Sequence, residues 1–286
     1  MLKKICKKAP IFICILILSL SLFSCSSSNN DVLGGDVVRY SYCVFNDQYQ
    51  LASIPIITKK DVRSAEFITA DIDNPNVFTI SQESLDLADT FNYKGYNVYF
   101  LVLKIQCNSM DKIVSTKINS ITININGEDT VLSTPYFHVC NGVNGISNNY
   151  YNDGTLLFGG AGSNVLVSSS MPSKEKPAVM GLVNKNAIEV NSFHILDYLS
   201  IDTFEFNGTS FDPSAINSTI NSNSNLEFVY SLKYKHDCSE KNIIRVARIV
   251  IFSENGTQKA FIDGAGTYIY LGLQEQLVIK NYIDTL

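Results

Sequence analysis

Lys117-Ile-Asn-Ser-Ile-Thr-Ile-Asn-Ile125, then Asn126-Gly127, then Thr130-Val-Leu-Ser133 is the stretch that decides the class of fold. Ile121, Ile123 and Ile125 alternate with Thr122 and Asn124. A period of two sends every second side chain to the same face of a strand. Asn126 and Gly127 both tolerate positive φ, which a two-residue hairpin turn demands of its central pair. The stretch therefore reads as two antiparallel strands joined tightly.

Working outward, the same rhythm recurs. Strands are expected at 37–45, 50–57, 65–72 and 97–107 before it. After it they are expected at 178–183, 198–206, 226–234, 245–253, 259–263, 267–273 and 276–283. Asn255-Gly256 marks a second clear hairpin. Helix signals are confined to 82–88 and 213–217, a turn or two each. Short spacing between strands favours an antiparallel sandwich over βαβ units. Sliding the chain by 129 residues lays Asn126-Gly127 on Asn255-Gly256, Leu103-Lys104 on Leu232-Lys233, and apolar positions on apolar positions. The expectation is all-β: two tandem immunoglobulin-like antiparallel β-sandwich domains. Residues 36–170 form the first and 178–286 the second, joined by the Pro- and charge-rich linker 171–177.

Composition narrows the function. The chain has 286 residues, 45% hydrophobic and 17% charged, enough apolar content for a core and too much for disorder. With 27 acidic against 22 basic side chains, the net charge is −5. Nucleic-acid binding, which needs clustered Lys and Arg, is disfavoured.

Residues 1–24 have the three parts of an export signal. Lys3, Lys4, Lys7 and Lys8 give a basic start, and a largely apolar run extends from Ala9 to Phe23. That run, helical at about 1.5 Å per residue, reaches ~22 Å, short of the ~30 Å hydrocarbon core. It reads as a cleaved leader. Leu22-Phe23-Ser24-Cys25 at its end resembles the lipobox of bacterial lipoproteins. The resemblance implies cleavage between Ser24 and Cys25 and lipidation of Cys25, with palmitate among the usual acyl chains. It also implies attachment to the extracytoplasmic face of the cell membrane. At about 0.8 kcal/mol per buried methylene, two or three chains anchor stably where one does not. Residues 25–35 then form a polar tether. The leader removes four basic residues and no acidic ones, so the mature chain is more acidic than the whole.

Assembled chemistry is scarce. Cys6 and Cys14 lie in the leader and Cys25 would carry lipid, leaving Cys43, Cys107, Cys140 and Cys238. Cys43–Cys140 is the candidate disulfide, with free thiols the open alternative. No C-x-x-C, H-E-x-x-H or G-x-S-x-G occurs. Two S-x-x-K matches, Ser109/Lys112 and Ser173/Lys176, sit in polar turn-like segments. His138, between Phe137 and Val139, reads as a packed strand residue. Asp71, Asp73 and Asn74 are candidate oxygen ligands for Ca²⁺, though Pro75 breaks EF-hand spacing. Tyr268 and Tyr270 share a strand face. Tyr150 and Tyr151, in a Gly/Asn-rich loop, are the favoured contact site for a ligand. No cofactor is implied. The reading is a lipid-anchored binding or structural module for polysaccharide, peptidoglycan or another protein. The alternative is an all-β surface hydrolase with an Asp/Glu pair that sequence cannot display.

Overall fold

Nineteen strands and one short helix account for the regular structure of the described residues in the computed structural model. Those residues are 32–44, 49–109, 112, 114–142, 155–158, 172–235, 243–263, 268–270 and 275–286. The leader, Ser24, Cys25, the start of the tether, Tyr150, Tyr151 and Cys238 lie outside them.

Four sheets carry the chain. The first has the order β1 (Val32–Leu33), β3 (Tyr49–Thr58), β6 (Tyr96–Cys107), β5 (Phe78–Tyr93). Facing it is a sheet that contains β4 (Ala65–Ile72), β7 (Ser115–Ile125) and β8 (Glu128–Cys140). Constant-type immunoglobulin domains run A-B-E-D in one sheet and C-F-G in the other. Taking β1 and β3 to β8 as A to G reproduces both orders.

The second half repeats them. One sheet runs β9 (Leu156–Phe158), β10 (Ala178–Asn184), β15 (Asn225–Tyr234), β12 (Leu199–Phe206), with β13 (Thr209–Ser210) at its edge. The other contains β11 (Ile188–Ile195), β17 (Arg248–Glu254) and β18 (Thr257–Asp263), flanked by β14 (Ser218–Ile220). These are again A-B-E-D and C-F-G. The two F–G hairpins match residue for residue: Ile123 faces Thr130 around Asn126-Gly127, and Phe252 faces Lys259 around Asn255-Gly256. Asn126 and Asn255 both have φ near +50°, as the turns require. Asn207-Gly208 and Lys94-Gly95 close two further hairpins in the same left-handed conformation.

Each sandwich has its own core. Ile54, Leu101, Ile121 and Phe137 meet in the first. Phe193, Phe204, Phe228 and Tyr230 stack in the second, with ring centroids of 5.1–5.4 Å from Phe193 to the other three. Fully burying a side chain of this size contributes about 1.5–3 kcal/mol.

The chain also crosses between the halves. β2 (Val38–Cys43) runs parallel to β8 on one side and to β16 (Ile243–Val246) on the other. β19 (Tyr268–Tyr270) pairs beyond β16, so one sheet of six strands draws on both halves. β9 likewise precedes 171–177 in sequence yet pairs with β10. Residues 32–286 form one compact unit.

Several local expectations change. The expected strand 245–253 is interrupted at Ala247, which is fully buried and donates its N–H to Ser41 O at 2.9 Å. The segment before it joins one sheet and the segment after it another. Residues 276–283, expected as strand, form helix α1 (Glu275–Ile283). Val278, Ile279 and Ile283 are its buried residues, and Tyr282 packs beside them, an i, i+1, i+4, i+5 stripe against the first core. Residues 82–88, expected as helix, fall within β5, which pairs with β6. Residues 213–217 form a turn without helix. Among the described residues no helix is long and apolar enough to cross a membrane.

Candidate functional site

Period-two geometry on three neighbouring strands builds one wall of an open concavity. β2 is buried on both faces. Val38, Tyr40 and Tyr42 enter the first core, so Arg39, Ser41 and Cys43 point the other way, toward the second sandwich. On β8, Phe137 and Val139 enter the first core, which turns Tyr136, His138 and Cys140 outward with them. The pairings Ser41–His138 and His138–Lys117 then set these residues in one row across β2, β8 and β7. A register shift sharpens this wall. Between Ile118 and Ser120 of β7, Thr134, Pro135 and Tyr136 of β8 stand opposite Asn119 alone. Proline, which has no N–H to give a ladder, is tolerated at such a bulge. Thr134 Oγ1 donates to Ile118 O at 2.9 Å and repairs part of the lost pairing.

The facing wall comes from the second sandwich: Asp197 and Tyr198 between β11 and β12, with Tyr234 and Lys235 at the end of β15. Together the walls enclose an open cleft of about 1050 Å³. Tyr198 Oη donates to Tyr136 O at 2.8 Å and fastens one wall to the other.

Charge in this cleft is one-sided. Among the described residues, Arg39, Lys117 and Lys235 line it against a single carboxylate, Asp197, on a chain whose net charge is −5. Arg39 is only 5% exposed, and its Nε and Nη1 meet no hydrogen-bond acceptor. Its guanidinium carbon lies 3.7 Å from the centroid of Tyr136 and 5.7 Å from that of Tyr198. The ring quadrupoles thus hold the cation where, among the described residues, no carboxylate does, a contribution of about 2 kcal/mol when desolvated.

Asp197 belongs to a different set of contacts. Ser41 Oγ donates to Asp197 Oδ2 at 2.6 Å, and His138 Nδ1 stands 3.8 Å from the same oxygen. The His138 imidazole beside it holds the Asp197 carboxyl below the usual carboxylate range; burial works against this and the Ser41 hydrogen bond adds to it. Serine, histidine and aspartate are thus neighbours, but in the wrong order for nucleophilic catalysis. A serine nucleophile passes its proton to imidazole, with the carboxylate behind the imidazole. Here the carboxylate lies between, and the Ser41 hydroxyl, 1% exposed, is committed to it. The group orients Asp197 rather than activating Ser41.

The other candidates from sequence are distributed as follows. Cys43 and Cys140 face each other directly across the parallel β2–β8 pair, as free thiols. Burial, and then the Cys140 thiol, push the Cys43 thiol up, which disfavours the thiolate. Asp71, next to the last residue of β4, is exposed. Asp73 accepts from Asn119 Nδ2 at 3.2 Å, and Asn74 Nδ2 donates to Thr116 Oγ1 at 3.3 Å. Among the described residues, no three His, Cys, Asp or Glu converge as a metal site. His138, read from sequence as packed, lines the cleft with its ring 5.4 Å from Tyr198. Arg39 was not singled out by sequence reasoning at all. The signal available was a lone charge in an otherwise uncharged strand, at the same parity as Ser41 and Cys43 and alternating with Val38, Tyr40 and Tyr42.

No protein-family model matches the chain, nor does any curated protein sequence. Among solved structures, the secreted serine protease VesC of Vibrio cholerae aligns at 9% identity and a TM-score of 0.23, over 76% of this chain and 54% of its own. The YadV chaperone aligns at 10% and 0.20, over 81% and 98%. The N-terminal periplasmic domain of ScsB from Proteus mirabilis aligns at 10% and 0.22, over 77% and 94%. Likeness this low carries no functional assignment.

Proposed function

We propose that the protein is a lipid-anchored, extracytoplasmic binding module whose ligand enters the cleft between its two sandwiches. The observation that carries the reading is the convergence of Tyr136, Tyr198, Tyr234 and three cations from separate parts of the chain on one cavity. Its volume is near the upper end of the range typical of ligand pockets, about 300–1,000 Å³. One wall is built on β2, β8 and β7, inner strands with neighbours on both sides and so a rigid support for recognition. Anchoring rests on Leu22-Phe23-Ser24-Cys25, and the cell-wall polysaccharide beside a membrane surface is the partner such an anchor favours.

Two experiments test it. Cys25→Ala should move the protein from the membrane fraction to the soluble one; unchanged fractionation refutes the anchor. Tyr234→Ala with Lys235→Ala, both toward the rim, should weaken retention on isolated cell-wall glycan at least tenfold. Equal retention by the double variant removes the cleft as the binding surface.

A further inference from the structure

We propose that the cleft binds the oxyanion of an acidic glycan, with Arg39 as its anchor; this rests on the binding reading above and names the ligand class. Arginine keeps its charge at any physiological pH and presents a planar fork that matches carboxylate and phosphate oxygens. Such a group, nine-tenths buried and short of acceptors at Nε and Nη1, is costly to leave without an anion. Among the described residues no carboxylate lies within ion-pair distance of it. Asp197, the one acid among the described residues that line the cleft, has its hydrogen bond from Ser41 and its neighbour in His138. An oxyanion entering the cleft beside the guanidinium offsets its buried charge. Lys117 and Lys235, less buried, add attraction that draws anions toward the site on an otherwise acidic molecule.

A glycan is favoured over an acidic peptide by the backbone around the cleft. β2, β8, β7 and β15 are all inner strands, hydrogen-bonded on both sides. None offers the free edge on which an extended peptide could add itself as a strand. Recognition must therefore come from side chains. Tyrosine supplies flat apolar faces for the C–H face of a sugar ring and hydroxyls for its O–H groups, at low entropic cost. Tyr136 already braces the guanidinium from one side, so the cation is held ready to receive the anion.

Isothermal titration of the full-length protein in detergent distinguishes the outcomes. The probes are a glucuronic acid tetrasaccharide, a phosphorylated glucose tetrasaccharide, the neutral glucose tetrasaccharide and a glutamate tetrapeptide. The expected result is binding of at least one acidic sugar-type probe, at least tenfold tighter than the neutral sugar and the peptide, and weakened by added salt. Preference between carboxylate and phosphate probes identifies the source of the oxyanion. Arg39→Met should abolish the preference for the charged probe, and Lys117→Ala, which leaves the buried contacts alone, should weaken it several-fold. Equal binding of neutral and acidic sugars, unaffected by Arg39→Met, overturns the oxyanion assignment and leaves the binding reading standing. Tighter binding of the peptide overturns the glycan assignment. Binding of no probe overturns the proposal, and with unchanged cell-wall retention by the rim variants it removes the binding reading as well.

Discussion

Arg245 and Arg39 occupy adjacent strands of one sheet, equally buried at 5% exposure, and meet opposite fates. Arg245 turns toward the first core. Its Nη1 donates to Tyr40 Oη at 2.9 Å and to Ser53 O at 3.3 Å, and its Nη2 pairs with Glu275 at 2.7 Å on helix α1. Arg39 turns toward the cleft and has aromatic faces in place of a carboxylate. Arg245 meets a carboxylate and two oxygen acceptors and lacks a partner only at Nε; Arg39 lacks one at both Nε and Nη1 and, among the described residues, faces no carboxylate. The difference between the two positions is parity along a strand plus the placement of one helix.

The largest effect should come from opening the closed arginine. Glu275→Gln removes the charge facing Arg245 and should lower stability by about 3 kcal/mol, read from urea unfolding, because a buried ion left without its partner retains its desolvation cost. A loss well under 1 kcal/mol would remove the contrast between the two sites. Removing the aromatic face of the open arginine is next. Tyr136→Leu should cost about 1–2 kcal/mol, while Tyr136→Phe, which keeps the ring, should stay within about 0.5 kcal/mol. Similar losses from both would assign the effect to packing instead of the cation.

Replacing Arg39 itself should do less still. Arg39→Met exchanges an unbalanced charge for an apolar chain of similar reach and should leave stability unchanged or raise it by up to about 1 kcal/mol. A clear loss would make Arg39 a structural residue. The smallest effect is on the pH profile. Asp197 has its carboxyl held down in the folded state, so its share of stability is present above the unfolded value, about pH 3.9, and is lost as pH falls through the lower folded value. Melting temperature should therefore fall below about pH 4, and Asp197→Asn should flatten that limb. An identical slope in the variant would place the acid sensitivity elsewhere, with Glu254 the next group to examine, since Lys259 and Asn186 hold its carboxyl down too.

Much of the architecture was legible because strand formation is local. The hairpin at Asn126-Gly127 and its counterpart at Asn255-Gly256 follow from turn chemistry and alternation, and their shared register supports the duplicated pattern seen by sliding the chain. Residues 276–283 were harder. Leu277, Ile279 and Ile283 share strand parity about as well as the segment fits a helix, and only packing of Val278, Ile279 and Ile283 on the first core selects the helix. The site was legible in fragments at best. Arg39 and Lys235 are 196 positions apart, and nothing local to either announces a common cavity.

Alternation, Asn-Gly turns and apolar content by themselves determined that this chain forms antiparallel sandwiches, because each of those signals acts within a few residues. Which strands pair across the halves, how β2 comes to lie in parallel between β8 and β16, and which buried arginine acquires an acid were decided only in tertiary structure. Those outcomes depend on contacts between residues far apart in sequence, and a charge reveals its role only once its neighbours in space are known.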